Sequence, residues 1–237
     1  MKTLLIALTL VGSAFGADYV EPSAHADKYL LVAVSGFKTG RDKSESEDIF
    51  SNIVGKGSEA SGVWTYMNIN HKKIFKTVYL SHYSKDSELK SVMNLAVDEK
   101  GECKKKQGLI MMVNSWGAKM SQKLADMYLQ KCGQLPNLTI LIDGVSKPTP
   151  FAYDKPIRAL NCVNFYQQSS TLKGTSIENC YNVLSNYNTG SDLFNAHIHL
   201  EWDASKRGNS IIEQFLDGKL PVMFVRDIYQ IDYRKGL

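Results

Sequence analysis

The chain carries little net charge and few cysteines, and beyond its N-terminus it has no long apolar run. Its 237 residues include 28 Lys and Arg against 24 Asp and Glu, a formal net charge of +4. A charge this small indicates no nucleic-acid partner. Since no internal segment is apolar enough to cross a bilayer, no transmembrane segment is expected. With 43% hydrophobic and 22% charged residues, the composition is typical of a globular protein.

The cysteines are few but informative. No CxxC or HxxxH spacing occurs, so no metal site is expected. Four cysteines allow three pairings, which the sequence alone does not decide. The pairs Cys103–Cys132 and Cys162–Cys180 are favoured because each closes a modest loop between neighbouring elements. Disulfides are expected if the chain is exported, and free thiols are the alternative.

The N-terminus has the pattern of a secretory signal peptide. Lys2 precedes a short apolar run, and small residues follow it up to Ala17. This arrangement predicts a signal peptide over residues 1–17 and a single mature domain over 18–237. We therefore expect an exported protein, either periplasmic or extracellular. The sequence does not indicate its oligomeric state.

Continuous apolar runs alternate with amphipathic segments along the chain. Residues 29–34 and 109–113 are apolar throughout, and 138–142 are apolar except for Thr139. Such runs are typical of strands buried on both faces of a parallel sheet. Further strands are expected at 75–82 and 159–165. The pattern predicts an α/β fold, with a mainly parallel central sheet and helices on both of its faces.

The helices are predicted from apolar residues at helical spacing. One follows the candidate caps Asp86 and Ser87. A second has Trp116, Met120, Leu124 and Tyr128 on one face and ends at Cys132-Gly133. Residues 196–202 resemble a strand, and a last helix is expected at about 205–216. The tail, residues 221–237, fits either an edge strand or an extended arm.

Ser115 is the candidate nucleophile. It stands between an apolar strand and an amphipathic helix, in the segment Asn114-Ser115-Trp116-Gly117-Ala118. This context is typical of a nucleophile elbow, in which a tight strand-to-helix turn presents the serine Oγ at the sheet edge. The alternative interpretation is that Ser115 only caps the helix.

Candidate partners for Ser115 follow it in the chain. Asp143 ends the next apolar strand, although it could equally cap a turn with Gly144. His197 and His199 come before the last helix, and either can serve as the base because a strand would place both on one face. The backbone N–H of Trp116 is one candidate oxyanion donor. The other is the N–H of Phe37.

Four short motifs together resemble α/β-hydrolases of a lipase- or esterase-like group. The resemblance covers about residues 29–216. Its motifs are Ser35-Gly36-Phe37, Asn114-Ser115-Trp116-Gly117-Ala118, Leu141-Ile142-Asp143-Gly144-Val145, and Asn164-Phe165-Tyr166-Gln167 with Leu172-Lys173-Gly174.

The resemblance assigns Ser115 as nucleophile, Asp143 as acid and His197 as base, with His199 as the fallback base. It implies hydrolysis of a small-molecule or lipid ester without a cofactor. The chain has no obvious room for a large lid domain. Residues 169–195 are the best candidate for a small cap, and their aromatic residues either line an acyl pocket or pack on the sheet.

Two positions depart from the family pattern. Val113 replaces the first glycine of Gly-x-Ser-x-Gly, and Ser35 stands where a His often precedes the oxyanion glycine. They favour an alternative function, a non-catalytic exported binding protein on a decayed hydrolase scaffold. An amidase, peptidase or thioesterase that uses the same triad is a further alternative.

Overall fold

A computed structural model describes residues 28–36, 75–81, 84–104, 107–146, 152–187 and 195–217. The predicted signal peptide, Phe37 and the tail after residue 217 lie outside the described residues. So do the upstream histidines, His25, His71 and His82, none of which was favoured as the base.

The described strands form one parallel sheet. Its order is β2-β1-β3-β4-β5-β6, and every neighbouring pair is parallel. The predicted mainly parallel α/β sheet is therefore confirmed for this part of the chain. The strands are β1 (Tyr29–Ser35), β2 (Phe75–Ser81), β3 (Gly108–Asn114), β4 (Leu138–Ile142), β5 (Cys162–Gln167) and β6 (Tyr181–Ser185).

Three helices accompany the sheet in the described ranges: α1 (Asp86–Leu95), α2 (Gly117–Cys132) and α3 (Asn195–Leu216). Helix α2 ends as expected, since Gly133 takes the left-handed conformation with φ 65°. The caps predicted for α1 were wrong. Its N-cap is Lys85, whose backbone N–H donates to Glu88 Oε2 at 2.5 Å.

Alternate side chains of the central strands enter two separate hydrophobic clusters, because successive strand residues point to opposite faces. In β1, Leu30 and Val32 belong to one cluster, and Leu31 and Ala33 to the other. The first cluster contains Leu89 and Val92 of α1 and Leu124 and Tyr128 of α2. The second contains Leu200, Ala204, Ile211 and Ile212 of α3.

The interpretation of residues 196–202 as a strand was wrong, because α3 already begins at Asn195. Alternation of Ala196, Ile198 and Leu200 gives an apparent period of two. The same stretch also places Ala196, Leu200 and Ala204 four residues apart, and all three are buried. Helical spacing therefore describes the packed face.

The candidate cap, residues 169–195, lies only partly within the described residues. Residues 168–180 connect β5 to β6, and β6 is the last strand of the described sheet. This part of the segment extends the sheet, and the cap stays a prediction. Tyr181 and Tyr187 pack against the second cluster, whereas Leu184 is exposed. An edge strand with one apolar face gives a weak sequence signal, which is why β6 was missed. Strand β5 also lies three residues later than predicted at its start.

Both favoured disulfides are present. Cys103–Cys132 joins the segment after α1 to the end of α2, with the Cα atoms 5.3 Å apart. Cys162–Cys180 joins the start of β5 to the residue before β6, with the Cα atoms 4.6 Å apart. Disulfides of this kind are typical of oxidising compartments. Among the described helices, none is long and apolar enough to span a membrane.

Candidate active site

The site lies at the carboxyl edge of the sheet, where the strand order changes direction. The chain places β2 on one side of β1 and places β3 to β6 on the other. In open α/β sheets, the crevice outside the strand ends at such a switch point is the usual place for a ligand. Gly36 follows β1 and Ser115 follows β3, so both residues stand at this point.

The backbone holds Ser115 in a tight turn. Its N–H donates to the carbonyl of Ile142 at 2.9 Å, and its own carbonyl accepts from the N–H groups of Val145 at 3.1 Å and Ala118 at 3.2 Å. These bonds tie Ser115 to the end of β4, to the turn after Asp143 and to the start of α2. The position of Ser115 is therefore fixed by three separate segments.

Ser115 and Asp143 have left-handed backbones, with φ of 51° and 45°. Within the described ranges they are the only non-glycine residues with positive φ. Non-glycine residues are uncommon in this region, and such strain clusters at functional sites. Both candidate residues share the feature, and each directly follows a buried strand.

The structure does not support the alternative that Ser115 caps α2. The N-cap of α2 is Trp116, and it makes no side-chain cap hydrogen bond. A capping serine would accept from an N–H in the first turn of the helix. Ser115 Oγ is buried and has no hydrogen-bond partner in the described part of the chain.

Gly36 approaches Ser115 more closely than any other residue type would permit. A Cβ at position 36 would lie 2.4 Å from Ser115 Cβ and 3.0 Å from Ser115 Oγ. The predicted close approach after β1 is therefore present. Phe37 lies outside the described residues, so its role as an oxyanion donor stays a prediction.

Asp143 is fully buried and accepts hydrogen bonds on both carboxylate oxygens. Oδ2 accepts from His197 Nδ1 at 2.6 Å and from Gln167 Nε2 at 2.7 Å. Oδ1 accepts from the backbone N–H of Gly174 at 2.6 Å and of Gln167 at 3.3 Å. These donors are 24 to 54 residues away along the chain. The side chain therefore organises a tertiary site rather than its own turn.

His197 lies in the first turn of α3 and is buried. The carboxylate of Asp143 accepts hydrogen bonds from N–H groups at its other contacts. It accepts the bond from His197 in the same way, which requires the proton to be on Nδ1. A neutral imidazole protonated at Nδ1 has an unprotonated Nε2, which is the atom that a base uses.

The helical structure also distinguishes the two candidate histidines. A helix turns about 100° per residue, so residues two apart do not share a face. His197 is the one bonded to Asp143. The side chain of His199 lies outside the described part.

Gln167 and Gly174 were not recognised from the sequence as site residues. Both lie in motifs that carry the family resemblance, the Asn-Phe-Tyr-Gln stretch and the following Leu-Lys-Gly. The only signal that the sequence offered was the presence of an amide and a glycine within those motifs. What the sequence lacked was the fold that brings them to Asp143.

No family model matches this chain, and no curated protein matches it. The resemblance to α/β-hydrolases therefore rests on the motif residues alone.

Proposed function

We propose that the protein is a serine hydrolase of the α/β-hydrolase type that cleaves carboxylic esters, with Ser115 as nucleophile, His197 as base and Asp143 as the acid. One observation carries the proposal. Asp143 and His197, 54 residues apart in the chain, meet in a buried hydrogen bond of 2.6 Å. They do so at the sheet edge that also bears the strained Ser115.

The proposed reaction proceeds through an acyl-enzyme. His197 Nε2 removes the proton from Ser115 Oγ as Oγ bonds to the ester carbonyl carbon. The same proton is then given to the leaving alcohol as its C–O bond breaks. Water repeats the sequence on the acyl-enzyme, which releases the acid and restores Ser115. Asp143 orients the imidazole and stabilises its cation throughout.

Charge on the carbonyl oxygen needs donors near Ser115. The backbone N–H of Trp116 and that of Phe37 are proposed for this role. Trp116 precedes the first residue of α2, and the positive end of a helix dipole favours a developing anion. Donors aimed at this oxygen usually contribute much of the rate acceleration.

The arrangement of helices around the sheet supports the proposal of an α/β-hydrolase type. The two hydrophobic clusters support α1 and α2 on one face of the sheet and α3 on the other. The length of the chain is the support for the proposal that the enzyme is compact and without a large lid domain. Export, in a periplasm or outside the cell, is supported by the pattern of residues 1–17 and by two disulfides.

A fluorophosphonate probe tests the nucleophile directly, because attack by an activated serine forms an O–P bond and expels fluoride. Ser115→Ala should abolish labelling. Ser121→Ala is the matched control, since Ser121 is also buried but its Oγ donates to Ala118 O within α2. It should label as well as the wild type. Labelling that survives Ser115→Ala would refute the proposal.

Kinetics test the cooperation of the triad. On a short p-nitrophenyl ester, Ser115→Ala or His197→Ala should each lower kcat by up to about 10⁶-fold, with no further loss in the double variant. Asp143→Asn should cost about 10⁴-fold. Additive losses would contradict a single catalytic unit.

A second candidate is an exported binding protein that has lost catalysis. The burial of Ser115, which is 1% exposed, and the β-branched Val113 beside it favour this function. The same probe separates the candidates, because folded wild-type protein that fails to label would support the binding protein.

The class of bond cleaved is a separate question. An amidase, peptidase or thioesterase would use the same three residues and would differ in the leaving group. Matched esters, thioesters and amides of one acyl chain should be hydrolysed with the ester favoured. Higher kcat/KM on the amide or thioester would replace the proposed substrate class while retaining the triad.

A further inference from the structure

Gln167 lies at the end of β5 and is fully buried. Its side-chain amide is saturated. Nε2 donates to Asp143 Oδ2 and to the carbonyl of Leu172, both at 2.7 Å. Oε1 accepts the backbone N–H groups of Ser169 at 2.8 Å and Ser170 at 3.1 Å.

These partners leave the amide only one orientation. Two backbone N–H groups face one end of it and therefore require the oxygen there. A carbonyl and a carboxylate face the other end and require the NH₂ group. A reversed amide would set oxygen against two acceptors and leave buried N–H donors unsatisfied, which is strongly unfavourable in a buried site. The N–H toward Asp143 is thus locked by its surroundings.

The segment that connects β5 to β6 contacts Oδ1, the other carboxylate oxygen of Asp143. The backbone N–H of Gly174 donates to Asp143 Oδ1, and a Cβ on Gly174 would lie 2.5 Å from that oxygen. Gln167 and Gly174 therefore contact Asp143 on both oxygens. Oδ2 can accept one more hydrogen bond, and the imidazole of His197 donates it.

We infer that Gln167 is a positioning residue, which fixes the Asp143 carboxylate so that Oδ2 receives the His197 Nδ1–H. The inference deepens the proposed function and rests on it for its catalytic consequence. Gln167 acts through Asp143 and His197 rather than on the substrate. Its expected signature is a fall in kcat with little change in KM.

Gln167→Glu is the sharpest variant. It preserves shape and keeps an oxygen for Ser169 and Ser170. The neutral carboxyl can still donate to Asp143, whereas the ionised carboxylate offers an acceptor where there was a donor, so kcat is compared with the wild type across neutral and alkaline pH. We expect kcat on the p-nitrophenyl ester to fall about 10²-fold, the usual effect of a 1 Å misplacement. The downfield imidazole N–H resonance of His197 should shift or broaden. Unchanged kcat with an unchanged resonance would overturn the inference.

Asn164→Asp is the matched control. Asn164 is a second buried amide of β5, and its Nδ2 donates to the Thr175 carbonyl and to Asn182 Oδ1, both at 2.8 Å. Asn164→Asp therefore perturbs the segment between β5 and β6 without changing a hydrogen bond to Asp143. It should lower the urea midpoint yet leave kcat and the His197 resonance near wild type. An equal effect of both variants would mean that Gln167 is merely structural.

Two readouts keep the inference separable from the proposed function. If wild-type protein fails to label with the fluorophosphonate, the proposed function fails, and the His197 resonance alone then decides the role of Gln167. If Gln167→Glu does not fold, the amide resonances of the unchanged Gln167 side chain still decide. The side-chain amide protons of Gln167 should exchange slowly with D₂O and should shift in Asp143→Asn, and fast exchange or no shift would overturn the inference.

Discussion

Replacing Gly36 by alanine should damage the site through one methyl group. The new Cβ would lie 2.4 Å from Ser115 Cβ, 3.0 Å from Ser115 Oγ and 3.0 Å from the Asn114 carbonyl oxygen. Carbon atoms in contact prefer about 3.5–4.0 Å, so the Cβ pair falls short by more than 1 Å. A rotamer change cannot relieve this, because both carbon atoms are bound directly to the backbone.

The magnitude follows from what must move. Ser115 is held by backbone bonds to β4, α2 and the turn after Asp143, so either that turn or the end of β1 shifts by about 1 Å. Overpacking of this kind costs about 1–3 kcal/mol of unfolding free energy. A 1 Å displacement of a nucleophile costs about 10²-fold in rate.

The assay pairs the urea midpoint with the rate of fluorophosphonate labelling. Gly133→Ala is the control, since Gly133 has φ +65° and a Cβ there meets nothing within 4 Å. Its left-handed backbone predicts a stability loss of about 1–2 kcal/mol with no loss of labelling. Gly36→Ala should lose both. Wild-type labelling and stability in Gly36→Ala would refute the close approach of these residues.

Three further predictions concern stability. Removing the Cys162–Cys180 bridge with a double Ser variant should cost about 3 kcal/mol by loop-entropy reasoning, and an unchanged melting temperature would contradict that. Burial raises the pKa of Tyr128 above 10.0, so stability should be full below pH 10 and fall as pH rises from there through the raised pKa. In urea titrations, Tyr128→Phe should show a smaller fall above pH 10 than the wild type. Leu124→Ala should cost about 2–5 kcal/mol by opening a cavity in the first cluster, and a smaller shift in urea midpoint would indicate that the cluster collapses around it.

Some of the site was predictable because its signals are local. An apolar run followed by Ser-x-Gly and an amphipathic stretch indicates a strand, a turn and a helix wherever the segment packs. Ser115 and Asp143 were found in this way, each at the end of its strand. The disulfide pairing followed from neighbouring elements in the same manner.

Other parts depended on packing between distant segments. Residues 196–202 fit both a period of two and a helix, and only burial of Ala196, Leu200 and Ala204 against the sheet distinguishes them. Because the segment is a helix, a choice between the histidines became possible. A strand would have presented both on one face.

The sequence by itself determined the α/β class, the strand ends that carry Ser115 and Asp143, and the order of Ser115, Asp143 and His197 along the chain. Those features depend on residue periodicity and turn chemistry, which act over a few residues. Only the tertiary structure decided that His197 contacts Asp143 and that Gln167 and Gly174 hold the same carboxylate. These contacts join residues 24 to 54 positions apart, and their energy exists only after the sheet has assembled.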